Sequence, residues 1–224
     1  MPKKKKKKPT LSPTIKALMI ILLLPVTVTV YTITIITWQG IRELPIVNQL
    51  TVSAKQFPAK GDDLPEEYIP IYQQAAEAYG IPWTLLAAHH RIETRFSTME
   101  TLVSPVGAEG HMQFMPCTFV GWSYPGCGGL GKGNIPDEDK TDPAVIEKYG
   151  GYGVDANGDG KADPYDLEDA VFSAANYLSK NGAAEGELEQ AIFMYNRSDD
   201  YVQDILYYYR LYEERWKEKK KEEQ

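Results

Sequence analysis

From Pro65 onward, apolar positions recur at helical intervals. PEEYIPIYQQAAEAYG keeps the pattern up to Gly80, and it restarts behind Pro82 in PWTLLAAHHRIETRF, running to Phe96. DLEDAVFSAANYLSKNG, ELEQAIFMYN and DDYVQDILYYYRLYEERWKE repeat it; Val171, Ala174, Ala175 and Leu178 give the first of these its apolar face. Strand-like alternation is scarce here, so the expected fold class is mainly α. In the second helix Thr84, Ala88, Arg91 and Arg95 share one face. Leu85, Leu86, His89, Ile92 and Phe96 form the opposite stripe, and Glu93 lies on that side. The terminal KEKKKEEQ reads as a solvated, fraying helix end.

Before residue 65 the pattern is of another kind. Residues 17–41 form an uncharged run of 25, enough to cross a bilayer core of about 30 Å. Six lysines, Lys3 to Lys8, precede it and should hold residues 1–16 in the cytoplasm, leaving everything after Arg42 outside. Within this run VTVTVYTITIIT alternates as a half-buried strand would. A cleaved signal peptide is the other reading of such a start. The run is too long for that and lacks a small-x-small cleavage site, so one uncleaved transmembrane helix in the cell membrane is expected. Scattered Pro, Gly, Lys and Asp make residues 42–64 a stalk. Residues 65–215 have the size of one extracytoplasmic domain, with 216–224 as a charged tail.

Charge divides at the same place. Lys3 to Lys8 and Lys16 account for seven of the 24 basic residues and no acidic residue precedes Glu43, leaving 17 basic against 31 acidic in the remainder. Such a domain should not bind nucleic acid through phosphate attraction. Among its carboxylates Glu93 is unusual. It sits in the last turn of its helix, where the dipole disfavours a negative charge, beside the apolar stripe and averted from Arg91 and Arg95. All three circumstances raise a carboxyl pKa, as a general acid requires. A Glu at the margin of a core helix is the bland alternative.

Downstream, Ser104-Pro105-Val106-Gly107 is a turn, and Gly110-His111-Met112-Gln113-Phe114-Met115-Pro116 sets an amide among apolar residues, with Pro116 placed to open a short helix. Glu93-Thr94-Arg95-Phe96, then Ser104 to Pro116, then Tyr195-Asn196 resemble in order the motifs of the lytic transglycosylases. Glu93 to Phe96, Gln113 to Pro116 and Asp155 to Asp166 are most similar to the membrane-bound class B branch. The resemblance covers roughly residues 65–212. It implies a lysozyme-like helical domain that cuts peptidoglycan between N-acetylmuramic acid and N-acetylglucosamine, with no cofactor for catalysis. Glu93 would be the acid and then the base, while Ser104, Gln113, Met115, Tyr195 and Asn196 would bind the glycan. Glu109 and His111 stand where the family more often has small or apolar residues. A hydrolysing muramidase on the same scaffold and a non-catalytic wall-binding module are the rival readings.

Cys117 and Cys127 bracket a Gly/Pro-rich loop and are plausible disulfide partners outside the membrane; two free thiols are the alternative. Asp155, Asn157, Asp159, Lys161 (through its carbonyl), Asp163 and Asp166 follow the order of a calcium loop, with Gly160 at its sixth position. Asp166 is shorter than the usual Glu and no entering helix precedes the loop, so a structural calcium competes with a plain turn. His89, Glu93 and His111 could hold zinc, but the spacing is not that of a metallohydrolase. Tyr201, Tyr207, Tyr208, Tyr209 and Tyr212 suit either a core or a sugar-stacking wall, and most are expected to be packing.

Overall fold

The computed structural model describes residues 12, 14, 29–32 and 64–223. The chain divides into two units, Met1–Asp63 and Leu64–Gln224. In the first, residues 29–32 are helical and the Thr32 hydroxyl donates to the Thr29 carbonyl at 3.1 Å. The rest of the 17–41 span and the 42–63 stalk lie outside the described residues. No helix among the described residues is long and apolar enough to cross a membrane.

The second unit is helical, and its only strand pairing among the described residues consists of the isolated bridges Val103–Glu109 and Glu109–Phe114. A 3₁₀ turn, Glu66–Tyr68, leads into α1 (Ile69–Tyr79), which Gly80 closes in the left-handed conformation (φ 67°). There follow α2 (Trp83–Thr94), α3 (Pro116–Val120), α4 (Asp137–Lys140), α5 (Pro143–Tyr149), α6 (Leu167–Leu178), α7 (Leu188–Tyr195) and α8 (Asp199–Glu222). A π turn, Ser179–Ala183, extends α6. Ser198 caps α8 by accepting from the Tyr201 N–H. Asp199 and Asp200 in its first turn, with Lys219 to Lys221 in its last, suit the helix dipole.

α2 is the centre of the unit, and here the two-faced reading of its sequence needs correction. Thr84 and Ala88 are as fully buried as Leu85, Leu86 and His89, because α8 covers the side that looked polar. The Thr84 hydroxyl donates to Glu213 at 2.7 Å, Trp216 packs edge-on against Trp83, and the Arg91 guanidinium lies over the Tyr208 ring. Phe96, Met112, Phe114, Val171, Leu178, Ile192, Ile205 and Tyr212 join α2 in one core. The charged end is also more ordered than a fraying tail. α8 stays helical through Glu222, and Lys219 pairs with Glu66 at 2.6 Å.

Candidate active site

Glu93 is next to last in α2, as its sequence placed it, but the helix stops there by an unusual route. Arg95, Phe96 and Ser97 all have positive φ (52°, 58° and 63°). Left-handed backbone costs L-residues roughly 1–2 kcal/mol each and seldom recurs in succession. Hydrogen bonds from Arg95 N–H to the Arg91 carbonyl and from Phe96 N–H to the His90 carbonyl compensate. The chain thereby turns sharply behind Glu93, and the exposed Arg95 is carried away from it.

The carboxyl of Glu93 faces tyrosines. The Tyr201 hydroxyl donates to Glu93 Oε1 at 2.5 Å, while Tyr195 and Tyr201 both lie edge-on to His89, one turn earlier on the same face. Burial pushes the Glu93 pKa up from its ordinary 4.5 to about 7, with the Tyr201 hydrogen bond pulling the other way. The nearest acids along the chain do not share this site. Glu109 pairs with Lys140 at 3.0 Å, and Glu100 is exposed in the following turn.

The loop after Glu93 is built from its own backbone groups. Ser104 Oγ accepts from Ala108 N–H, which holds the Ser104–Gly107 turn. Gln113, itself at φ 50°, donates from Nε2 to the carbonyls of Leu102 and Gly110 at 2.9 and 2.8 Å. Both amide donors therefore hold the loop, and only its carbonyl oxygen is left for a ligand, fewer groups than the sequence suggested. Gly110 must be glycine: a Cβ there would lie 1.9 Å from the Pro164 carbonyl oxygen, at φ 80°. Tyr195 ties α7 to the loop through its hydroxyl on the Met112 carbonyl at 2.8 Å.

Gln113, Met115 and Tyr195 line a cleft of about 360 Å³ with Trp122, Leu130 and Arg197. Ser104 and Asn196 are not in its wall; Asn196 is exposed at the end of α7. Glu93 is not in the wall either; burial, and then the charge of Glu93, keep the Tyr195 hydroxyl protonated. Trp122 lies in the loop that the Cys117–Cys127 disulfide closes (Cα–Cα 5.5 Å). A Cβ on Gly131 would meet the Trp122 indole at 3.2 Å, so glycine lets the ring approach that segment closely.

Sequence reasoning missed Tyr201, taking it for packing. The available signal was its place in the first turn of α8, five residues beyond the Tyr195-Asn196 pair. Trp122 was passed over as well, although an aromatic inside a closed loop beside the motif was a usable hint.

In the acidic loop each side chain turns to the loop itself. Asp155 accepts from Gly158 and Gly160 N–H, Asn157 from Asp159, Asp159 from Lys161, and Asp163 from Tyr165. Asp166 caps α6. The buried Asp169, not foreseen, accepts from the N–H groups of Ala156, Asn157 and Asp163 and is the loop's organising carboxylate. Among the described residues no three His, Cys, Asp or Glu side chains are grouped so as to hold a metal ion. His89, Glu93 and His111 do not form a zinc set: His89 Nδ1 bonds the Leu85 carbonyl, and both His111 nitrogens bond Ser97 and Tyr165.

Residues 146–203 match the transglycosylase SLT domain. This span runs from α5 into α8 and contains Tyr195, Asn196 and Tyr201, but does not reach Glu93, Ser104, Gln113 or Met115. The match supports a lytic transglycosylase-like enzyme domain, with peptidoglycan as the implied substrate. Among curated proteins, the L-Ala–D-Glu endopeptidase of Bacillus subtilis (strain 168) is 26% identical over 152 residues. That alignment covers 67% of this chain and 43% of the relative, so the chain spans less than half of the protein it matches. No solved structure matches the chain.

Proposed function

We propose that the protein is a lytic transglycosylase with a lysozyme-like domain, anchored by residues 17–41 and facing the wall. Protonated Glu93 donates its proton to the glycosidic oxygen between N-acetylmuramic acid and N-acetylglucosamine as the C1–O bond breaks. The C6 hydroxyl of the same muramic acid attacks C1, and the Glu93 carboxylate takes the proton that hydroxyl releases. No water is consumed, and the product is a 1,6-anhydro end. Tyr201 occupies Oε1, which leaves Oε2 as the oxygen that carries and returns the proton. The cleft lined by Gln113, Met115 and Tyr195 takes the glycan, and Ser104 and Asn196 support it from outside the wall. The observation that carries this reading is a carboxyl at the end of α2 that accepts from Tyr201 and whose pKa burial raises, while Glu109 is paired with Lys140 and Glu100 is exposed.

Digestion of purified sacculi in ¹⁸O water tests it: anhydromuramic ends without label are expected. Labelled reducing ends would make the protein a muramidase. The name of the Bacillus relative brings a second reading, cleavage of an L-Ala–D-Glu bond. Both cysteines here are in the disulfide, so no thiol is available as a nucleophile. Mass spectrometry of the same digest reports peptide cleavage directly. The orientation is tested by protease added to spheroplasts, which should remove the 65–215 domain and spare the lysine-rich end.

A further inference from the structure

Five residues around the end of α2 form a continuous chain of hydrogen bonds that the mechanism above does not use. Tyr72 of α1 meets His90 Nδ1 at 2.7 Å, and His90 Nε2 meets Ser97 Oγ at 2.6 Å. Ser97 Oγ also meets His111 Nδ1 at 2.6 Å, and His111 Nε2 meets the Tyr165 carbonyl at 2.8 Å. A carbonyl only accepts, so His111 Nε2 carries a proton. In the neutral ring Nδ1 is then bare and must accept from Ser97. Ser97 has one proton to give, so His90 Nε2 must donate to it, and Tyr72 must donate to His90 Nδ1. Every donor and acceptor is satisfied in one direction only. Burial keeps His90 neutral, with its pKa lowered to about 3.

The chain crosses the two segments whose separation matters for catalysis. Ser97 is the third residue of the left-handed turn that ends the helix behind Glu93, and His111 stands two residues before Gln113. A parallel strut runs beside it. Thr94 Oγ1 donates to the His111 carbonyl at 2.8 Å and accepts from Ser97 N–H at 3.1 Å. We propose that Ser97, held between His90 and His111, is a positioning residue that sets Glu93 against the glycan-binding loop. This inference rests on the transglycosylase reading of Glu93. Small displacements of a catalytic group cost rate far more than binding, so the effect belongs in kcat.

The test is Ser97→Gly in the full-length protein. Glycine accepts φ 63° without strain, so this variant keeps the turn and loses the CH2OH side chain. The expectation is a Tm no lower than wild type within a few degrees, kcat reduced about 10- to 100-fold and KM within about twofold. Imidazole ¹⁵N–¹H spectra at about pH 8 give a readout independent of activity, and the chain has only three histidines. Wild type should show two Nε2–H rings, His90 and His111, and one Nδ1–H ring, His89, which donates to Leu85. Ser97→Gly should release the His90 and His111 tautomers and leave His89 unchanged. Should Ser97→Gly misfold, His111→Ala carries the same kcat expectation. Unchanged kcat in folded variants, or either relay histidine as Nδ1–H in wild type, overturns the proposal. An active Glu93→Gln protein would instead overturn the reading of Glu93 while leaving the tautomer result standing.

Discussion

Glu93→Gln should make the protein more stable while disabling it, and the gain should depend on pH in a defined way. In the folded protein the carboxyl titrates near 7, against 4.5 for an ordinary Glu. Between these values the native state binds more protons than the unfolded chain, so stability falls as pH rises through that window. Below about pH 4.5 both states are protonated and the penalty is absent; above about pH 7 it is complete. A rise of this size corresponds to at most about 3 kcal/mol, since Glu93 retains some solvent contact. Glutamine keeps the shape, still accepts from Tyr201 and has no charge to desolvate. Its advantage should therefore be near zero at pH 4 and reach its full value by pH 8. For a domain of this length that is a Tm gain of at most roughly 6–12 °C. Thermal melts of both proteins from pH 4 to 8, followed by circular dichroism, measure the difference. A difference that does not grow between pH 4.5 and 7 would refute the burial argument, whatever the activity does. Activity on sacculi should fall at least about 10²-fold, at the low end of general acid–base contributions.

Three other outcomes follow from the same geometry. Tyr201→Phe removes the bond that favours the charged carboxylate, so the alkaline limb of kcat/KM should move to higher pH; an unmoved limb means the bond does not bear on the acid. Replacing Cys117 and Cys127 by Ser should cost about 2–3 kcal/mol in urea unfolding, the unfolded-state entropy of a short closed loop. No cost would show that the Cys117 N–H bond to the Gly131 carbonyl holds the loop unaided. For the acidic loop we propose calcium in addition to its internal bonds, because every carboxylate there has lone pairs to spare. With an affinity of about 10⁻⁴–10⁻³ M, 5 mM calcium should stabilise by about 1–2 kcal/mol, and Asp155→Ala should abolish the response. A Tm indifferent to calcium leaves only a self-bonded turn.

What could be read in the sequence was local. Gly80, Pro82 and Pro116 marked helix boundaries, and the apolar periodicity of α1, α2, α6, α7 and α8 was strong enough to find each of them. The two short helices α4 and α5 escaped, because DEDK buries nothing and PAVIEKY buries only Ile146. Their signal was punctuation alone: Asp142 as cap, Pro143 in the first turn, Gly150 as stop. The burial of Thr84 was not legible, because α8, more than a hundred residues on, is what covers it. The same distance hid Tyr201 from Glu93. The raised pKa could be anticipated from the apolar stripe beside Glu93, since burial by it is a property of neighbours in sequence. The tyrosine that opposes it could not.

The proposed chemistry turns on the fact that, among the described residues, neither neighbouring acid is offered as a second carboxyl. Glycosidases that use water place two acids about 5–5.5 Å apart, or about 6.5–9.5 Å apart when the product is inverted. Here Lys140 occupies Glu109, and Glu100 is in the exposed turn, so neither is offered to a water on the far side of a sugar from Glu93. In the proposed reaction a single carboxyl gives a proton and takes one back within a turnover. It can do both only if neither form is strongly disfavoured at working pH, which is a demand on its environment rather than on its identity. Burial alone would make Glu93 a reluctant acid; the Tyr201 hydroxyl, by stabilising the anion, brings the balance to about 7. On this view the tyrosine matters for the first half of the reaction, in which the carboxyl becomes an anion. Tyr201→Phe should accordingly slow protonation of the leaving oxygen, because the carboxylate left behind loses its hydrogen bond, and should leave a stronger base for the C6 hydroxyl.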